Sequence, residues 1–378
     1  RILSPGTYAF HKAFSPGFTG KGLLSLSVVP VRTFREGLEL AAYVLAGFLV
    51  VRTVTRGREI RRIIAFLVAV GAFEAFYGLY ELTTAHPRLL FYKKVYSLGS
   101  VTGTFVNRSH LAGYLEMIIP LAIGLLIARL DFLSLGGEGL KAKLLHMTGK
   151  GLVPNLLLFA AVIVMSLGVL FSQSRAGIFT LVFTFILFVE FIVLHFSRFA
   201  PSRTWLRNFI WITFLFVAVS ALYIGVGSTI QRFALDDLLR ESRPLFWSNV
   251  GRIIAAFPVF GSGLGAFASV YPAFEKAAGP ELLLVHAHND YLEYLSELGA
   301  VGFVLLFGAV LFIGVSSFLV WRKRRNPDVK GIALGGIISL IVILVHSLTD
   351  FNLHIPANML LFAIVLALTF VTAFYRKT

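Results

Sequence analysis

The chain has no cysteine among its 378 residues. Disulfide frameworks and thiolate metal sites are therefore excluded. Charge is scarce as well. Asp, Glu, Lys and Arg make up 14% of the residues, against about 25% in a soluble domain. What takes their place is apolar: hydrophobic residues account for 57% of the sequence, and the mean hydropathy is +0.83. That balance predicts an integral membrane protein. No HExxH sequence, internal repeat, low-complexity tract or signal peptide is visible.

Acidic residues are the rarer sign, 19 against 34 basic ones, for a net charge of +15. In a soluble protein such an excess would point to nucleic acid. Here its placement argues otherwise. A bilayer span needs about 20 apolar residues. Nine runs approach that length, at roughly 38–54, 61–83, 109–130, 154–172, 176–196, 208–226, 299–320, 331–349 and 357–375. Basic clusters recur on alternate connections. They are Arg52, Arg56, Arg58, Arg61 and Arg62; then Arg129, Lys141, Lys143 and Lys150; then Arg198, Arg203 and Arg207. Arg322, Lys323, Arg324, Arg325 and Lys330 follow, and finally Arg376 and Lys377. These 19 basic residues, with four acidic neighbours, hold the entire +15, and the rest of the chain is neutral. The positive-inside rule makes these connections cytoplasmic. Their partners are anionic lipid head groups, not nucleic acid.

The expected fold is an all-α polytopic membrane protein of about nine transmembrane helices. An external segment occupies 1–37, six spans fall within 38–226, and a large external loop with a helix at 240–257 fills 227–287. Three spans and a cytoplasmic tail complete 288–378. The Pro-, Gly- and Ser-rich start at Arg1 reads as an external loop, and further N-terminal spans are expected before it. GSGLG at 261–265 lacks the strand–turn–helix setting of a dinucleotide site and reads as tight turns beside the membrane.

This topology sorts the isolated polar residues onto one outer face. Arg108 and His110 open the third span. Arg175 sits in the short SQSRAG turn between two apolar helices, where it needs a carboxylate, a phosphate or backbone carbonyls as partner. A snorkelling arginine is the plain alternative. Arg243 and Arg252 lie on the loop helix, where the alternative is a solvated side chain. Guanidinium binds phosphate oxygens bidentately, so Arg175 and Arg243 could clamp a diphosphate.

The segment HAHNDYLEYLSELGAVG, 286–302, concentrates the most chemistry. His288, Asn289, Glu293 and Glu297 are expected on successive helical turns. Histidine titrates near neutral pH, so His288 is a candidate general base. Its plain alternative is a helix-capping histidine. Asp350 or Glu293 could orient it or bind a sugar hydroxyl, and His354 lies in the same outer turn as Asp350. His286-Ala-His288 has metal-ligand spacing, but without cysteine or HExxH no metal is expected. Glu74, Glu81, Glu116 and Glu190 fall within spans; Glu74 and Glu116, toward the middle of theirs, could pair with arginines, line a polar cavity or make buried structural hydrogen bonds.

HNDYLEYLSELGAVG resembles the signature of the O-antigen ligase and polymerase superfamily of bacterial membrane glycosyltransferases. The signature's His-Asn, Leu and Glu-x-Gly-x-x-Gly fall on His288, Asn289, Leu292, Glu297, Gly299 and Gly302. GTFVNRSHLAGYLEMIIPLA, SQSRAG, RPLFWSNVGRIIAAFPVFGSGLGAF and HSLTDFNLHIPAN resemble further blocks of that superfamily in the same order, over about 30–375. The resemblance implies a type-C-like, metal- and cofactor-independent, inverting glycosyltransferase in the bacterial inner membrane with a periplasmic site. It implies an undecaprenyl-diphosphate-linked glycan as donor. The acceptor would be lipid A–core, another lipid-linked repeat or, in one branch, a protein hydroxyl. By position, His288 matches the family's essential histidine, and Arg175 and Arg243 match its diphosphate-binding arginines. Arg108 and Arg252 join them as donor-binding candidates, and Asn289, Glu293, Asp350 and His354 as supporting or acceptor-binding ones. A flippase for lipid-linked glycan is the alternative from another class, but such transporters place polar groups near the midplane, often with inverted repeats. A purely structural subunit would have no use for the outer Arg and His set.

Overall fold

The computed structural model describes residues 4–15, 25–84, 88–129, 151–195, 200–224, 243–275, 284–324 and 326–374. Among the basic residues used for topology, Lys141, Lys143, Lys150, Arg198, Arg325, Arg376 and Lys377 lie outside them. The stretches 227–242 and 276–283 of the expected loop do so too.

The helices are α1 (Pro5–Phe14), α2 (Pro30–Thr53), α3 (Gly57–Leu82), α4 (Arg108–Arg129), α5 (Leu152–Phe171) and α6 (Arg175–His195). They continue with α7 (Ala200–Ile224), α8 (Arg243–Ala256), α9 (Asp290–Lys323), α10 (Pro327–His346) and α11 (Pro356–Phe374). A small antiparallel hairpin, β1 (Arg88–Leu89) and β2 (Tyr92–Lys93), follows α3. The protein is an all-α polytopic membrane protein.

Among the described residues, seven helices are long and apolar enough to cross a bilayer: α3, α4, α5, α6, α9, α10 and α11. The two other expected runs also form helices, α2 and α7, and α2 carries too many charges to count with the seven. Arg32, Arg35, Glu36 and Glu39 charge the first turns of α2. The loop helix expected at 240–257 is α8.

The chain divides into two compact units. The first comprises Arg1–Ala46, Asp236–Phe312 and Ser347–His354, and the second Gly47–Leu235, Ile313–His346 and Ile355–Thr378. In the second unit α4 is the axis, with nearly every side chain from His110 to Ala128 buried. A helix apolar all round must be enclosed, and α3, α5, α6, α10 and α11 pack against it. Small residues bring α10 and α4 close. A Cβ on Gly124 would stand 2.6 Å from the Gly331 oxygen, and one on Gly335 would stand 2.4 Å from the Pro120 oxygen. Such close backbone approach maximises dispersion contact where no hydrophobic effect separates helix from lipid.

The first unit has its own core, in which Val28 meets Val250 and Ile253 of α8 together with Phe267, Val270 and Ala287. Its central event is a break in α9 at Gly299 (φ 62, ψ −175). A broken helix leaves carbonyls and amides without intrahelical partners. The turn at 258–263 supplies them. Ser262 and Gly263 amides donate to the Ser296 and Glu297 carbonyls, both at 2.9 Å. In return, Ala300 and Val301 amides donate to the Pro258 and Val259 carbonyls at 2.9 and 3.1 Å. Only glycine fits at two of these positions. At Gly261 (φ +71) a Cβ would lie 2.1 Å from the Glu297 carbonyl oxygen, and at Gly299 one would lie 2.4 Å from the Gly261 nitrogen. The glycine-rich sequence is thus the counterpart of a helix kink.

Candidate active site

The kink sets the stretch 290–298 as a short helix whose N-terminus faces the segment 347–354, within the first unit. His288 and Asn289 precede this helix rather than lying on its turns. Asn289 caps it: its side-chain oxygen accepts from the Leu292 amide at 3.0 Å, and its amide donates to the Leu348 carbonyl at 2.8 Å. Capping residues satisfy amides that no helical carbonyl can reach. The Asp290 amide donates to the Ser347 and Asp350 carbonyls, which fastens the two segments together.

Three histidines lie in this region, each facing a carboxylate. His288 has φ 51, in the left-handed region that a side chain rarely occupies. Its Nδ1 is buried and stands 3.5 Å from Asp350 Oδ1, an ion-pair distance but long for a hydrogen bond. The ring as a whole is 31% exposed, so the exposure lies away from Nδ1. Its edge meets Phe351, with ring centroids 4.9 Å apart.

His286 takes a different partner. Its Nδ1 is 2.8 Å from Glu293 Oε1, and Glu293 Oε2 accepts the Ala287 amide at 2.7 Å. The His286 ring stacks on Phe351 at 4.2 Å. Sequence left Asp350 and Glu293 as equal candidates to orient His288. The geometry gives Asp350 to His288 and Glu293 to His286.

His354 is the most enclosed of the three. Its Nδ1 is 2.7 Å from Asp290 Oδ1 and its Nε2 is 3.6 Å from Glu293 Oε1. Asp290 Oδ2 also accepts the Leu353 amide at 3.0 Å, and Tyr294 stacks on the His354 ring at 4.1 Å. Burial disfavours the charged ring, but Glu293 and Asp290 outweigh it and raise the His354 pKa to about 10. At neutral pH His354 is a fixed cation beside two carboxylates. Asp290 was missed in the sequence, although it opens the helix directly after the His-Asn pair. Glu297, on the inner turn of the same helix, accepts the Phe267 amide at 2.9 Å and so braces the loop.

α8 is tied to the histidine segment by Trp247, whose indole donates to the Ala287 carbonyl at 3.0 Å. Arg243 opens α8 four residues earlier and so shares the Trp247 face. Arg252 is turned elsewhere. Its guanidinium donates to Asn249 at 3.2 Å and reaches the Phe274 carbonyl at 3.4 Å, a bracing arrangement within the loop.

Arg108 and Arg175 belong to the second unit, where they are the first residues of α4 and α6. Both helix starts are capped: Asn107 accepts the Ser109 amide at 2.9 Å, and Ser174 Oγ accepts the Gly177 amide at 3.2 Å. The two starts adjoin, since a Cβ on Gly177 would stand 2.6 Å from that of Ala112. Two helix N-termini with their partial positive charge, each led by an arginine, favour an anion. Three of the acids within spans, Glu74, Glu81 and Glu116, meet hydroxyl, amide, lysine or histidine groups. Glu74 accepts from the Thr104 amide and hydroxyl, both at 2.8 Å, and Glu81 pairs with Lys94 at 3.1 Å. Glu116 lies 2.8 Å from His346 Nδ1 and also bonds Thr180. Among the described residues no group of three or more His, Asp or Glu side chains could hold a metal ion.

The fold and site define a multi-pass membrane protein with histidine–carboxylate pairs at the N-terminus of a kinked helix. Residues 160–307 match the family model described as O-antigen ligase, a stretch that includes Arg175, α8, the glycine-rich turn and the histidine segment. Over that stretch, under half of its length, the chain is similar to the O-antigen ligase family, whose members are membrane glycosyltransferase-like enzymes. No curated protein matches the chain.

Proposed function

We propose that the chain transfers a glycan from undecaprenyl diphosphate to an acceptor hydroxyl, with inversion, at the periplasmic face of the bacterial inner membrane. The observation that carries this reading is the His288–Asp350 pair. It combines a strained backbone, a partly exposed ring and a buried carboxylate behind it. In this reading the acceptor oxygen attacks the anomeric carbon as the bond from that carbon to the diphosphate oxygen breaks. The hydroxyl proton passes to His288, and polyprenyl diphosphate leaves. Asp350 holds the ring and stabilises the imidazolium; catalytic contacts that are long in a free enzyme tighten when substrate binds. Diphosphate is already a good leaving group, so the remaining requirement is charge stabilisation. Arg243, Arg175 and Arg108 are assigned that role, and the arginine-led helix starts support it for the last two. Asn289, Glu293 and His354 support the base by fixing its segment.

The test is product analysis with purified protein, a defined undecaprenyl-diphosphate oligosaccharide and separate acceptors. A ladder of repeats means polymerase, a single addition to lipid A–core means ligase, and a glycosylated peptide means the protein-directed branch. Movement of intact lipid-linked glycan across vesicles without transfer would mean a flippase and overturn the proposal.

A further inference from the structure

The β1–β2 hairpin is built unlike an ordinary surface loop. Aromatic side chains at its tip and just beyond its second strand point outward: Phe91 is 92% exposed, Tyr92 77% and Tyr96 69%. Its base is fixed. Lys94 is almost fully buried, 3.1 Å from Glu81 near the end of α3 and 2.8 Å from the Ser100 carbonyl. An ion pair in so enclosed a place holds one geometry.

The turn is also pinned at a particular depth. The Tyr77 hydroxyl donates to the Arg88 carbonyl and accepts the Leu90 amide, both at 2.8 Å. Tyr77 lies five residues before the end of α3, roughly 7.5 Å back along the helix axis. The hairpin therefore folds back beside the last turns of a span instead of projecting away from it. Tyr77 stacks on Phe73, and Phe73, Phe76 and Tyr80 are exposed on the same helix. The aromatic surface thus continues from the span onto the hairpin.

We infer that this hairpin is embedded in the bilayer interface, in the leaflet at the Leu82 end of α3, with Phe91 and Tyr92 among lipid chains. Backbone groups placed in lipid need partners within the protein, and the Tyr77 hydroxyl gives the turn both a donor and an acceptor. Tyrosine belongs to the interfacial belt. Arg88 and Lys93, both exposed, flank the tip and reach lipid phosphate by snorkelling.

The absence of cysteine makes the test direct. A nitroxide is attached to Phe91→Cys, and separately to Tyr96→Cys, in the full chain reconstituted in phosphatidylethanolamine–phosphatidylglycerol nanodiscs. Collision with oxygen is compared with collision with a water-soluble nickel chelate. Phe73→Cys is the lipid-facing reference and Gly251→Cys, at an open position, the aqueous one. The expected result is that both hairpin labels favour oxygen over nickel, nearer to the Phe73→Cys ratio than to the Gly251→Cys ratio. Hairpin labels with the aqueous ratio would overturn the proposal. So would spin–spin broadening that grows with protein per disc, which would mean that a second copy covers the tip.

Discussion

His354 Nδ1 and Asp290 Oδ1 stand 2.7 Å apart, with Glu293 Oε1 3.6 Å from the opposite ring nitrogen. One imidazolium therefore joins two acidic residues of one helix to the segment that carries Asp350. The sign of its pH dependence follows. The His354 pKa in the folded protein is about 10, above an unfolded value of about 6.5. Between these values the folded state binds more protons than the unfolded one, so stability falls as pH rises. The contribution is complete below about 6.5 and lost by about 10. Thermal melting in detergent should show an alkaline decline across that window. In His354→Gln the decline should be flattened. The variant should be less stable at pH 7 by about 3–5 kcal/mol, the usual cost of leaving a buried carboxylate unpaired.

His288 and His286 separate by their partners. His288→Ala should abolish transfer, a loss of about 10²–10⁴-fold if proton acceptance is its role, with normal expression and melting. His286→Gln breaks the 2.8 Å contact to Glu293 and should lower stability more than turnover. Asp350→Asn should reduce kcat less than His288→Ala and shift the pH–rate profile. Full turnover by His288→Ala would remove the base assignment.

Much of this site was legible because its residues are costly in a membrane. Arginine, histidine and acid beside apolar helices stood out, and His288 could be chosen over His286 by resemblance. Pairing was not legible. Asp290, Glu293 and Asp350 are all within reach in principle, and only the turn at Ser347–His354 decides which acid meets which ring. The role of GSGLG was half visible. Tight turns follow from glycine alone, but the partner, a break at Gly299, depends on contacts some forty residues away. The missing apolarity of α2 was visible in Arg32, Arg35, Glu36 and Glu39, yet its helix still forms, since length and hydrogen bonding do not require an apolar sequence.

Gly261 and Gly299 should tolerate no side chain. Each has positive φ and a backbone atom where a Cβ would fall. Gly299→Ala or Gly261→Ala should destabilise the protein by more than the roughly 1–3 kcal/mol of a strained backbone alone, because the four hydrogen bonds across the kink are pushed apart as well. Gly251→Ala, at an open helical position, is the control and should leave melting unchanged or raise it. Melting temperatures that match wild type in both kink variants would refute the interlock.

The arginines should divide by function. Arg175→Ala and Arg243→Ala each remove charged hydrogen bonds to the donor, worth about 1.5–3 kcal/mol. Donor affinity, measured by titration of a lipid diphosphate, should therefore fall about 10–100-fold. Arg252→Ala should act differently, since its guanidinium holds Asn249 and the Phe274 carbonyl. It should lower melting while donor affinity stays near wild type. Unchanged donor affinity in both Arg175→Ala and Arg243→Ala would count against the diphosphate clamp.

The Glu116–His346 pair allows a sharper separation of stability from chemistry. Both side chains are fully enclosed in the second unit, 2.8 Å apart, and His346 ends the helix that leads into Ser347–His354. Removing one partner costs the other its ionic contact in the enclosed interior, so Glu116→Leu and His346→Leu should each cost about 3–5 kcal/mol. Replacing both by apolar groups removes the penalty along with the attraction, so the double variant should melt above either single one. If the pair also fixes the segment carrying Asp350, that stable double variant should still turn over more slowly, with a shifted pH profile. A double variant with wild-type kcat would show that the pair supports the helices alone. Double-variant melting no higher than the lower single variant would mean that Glu116 and His346 do not act as a pair.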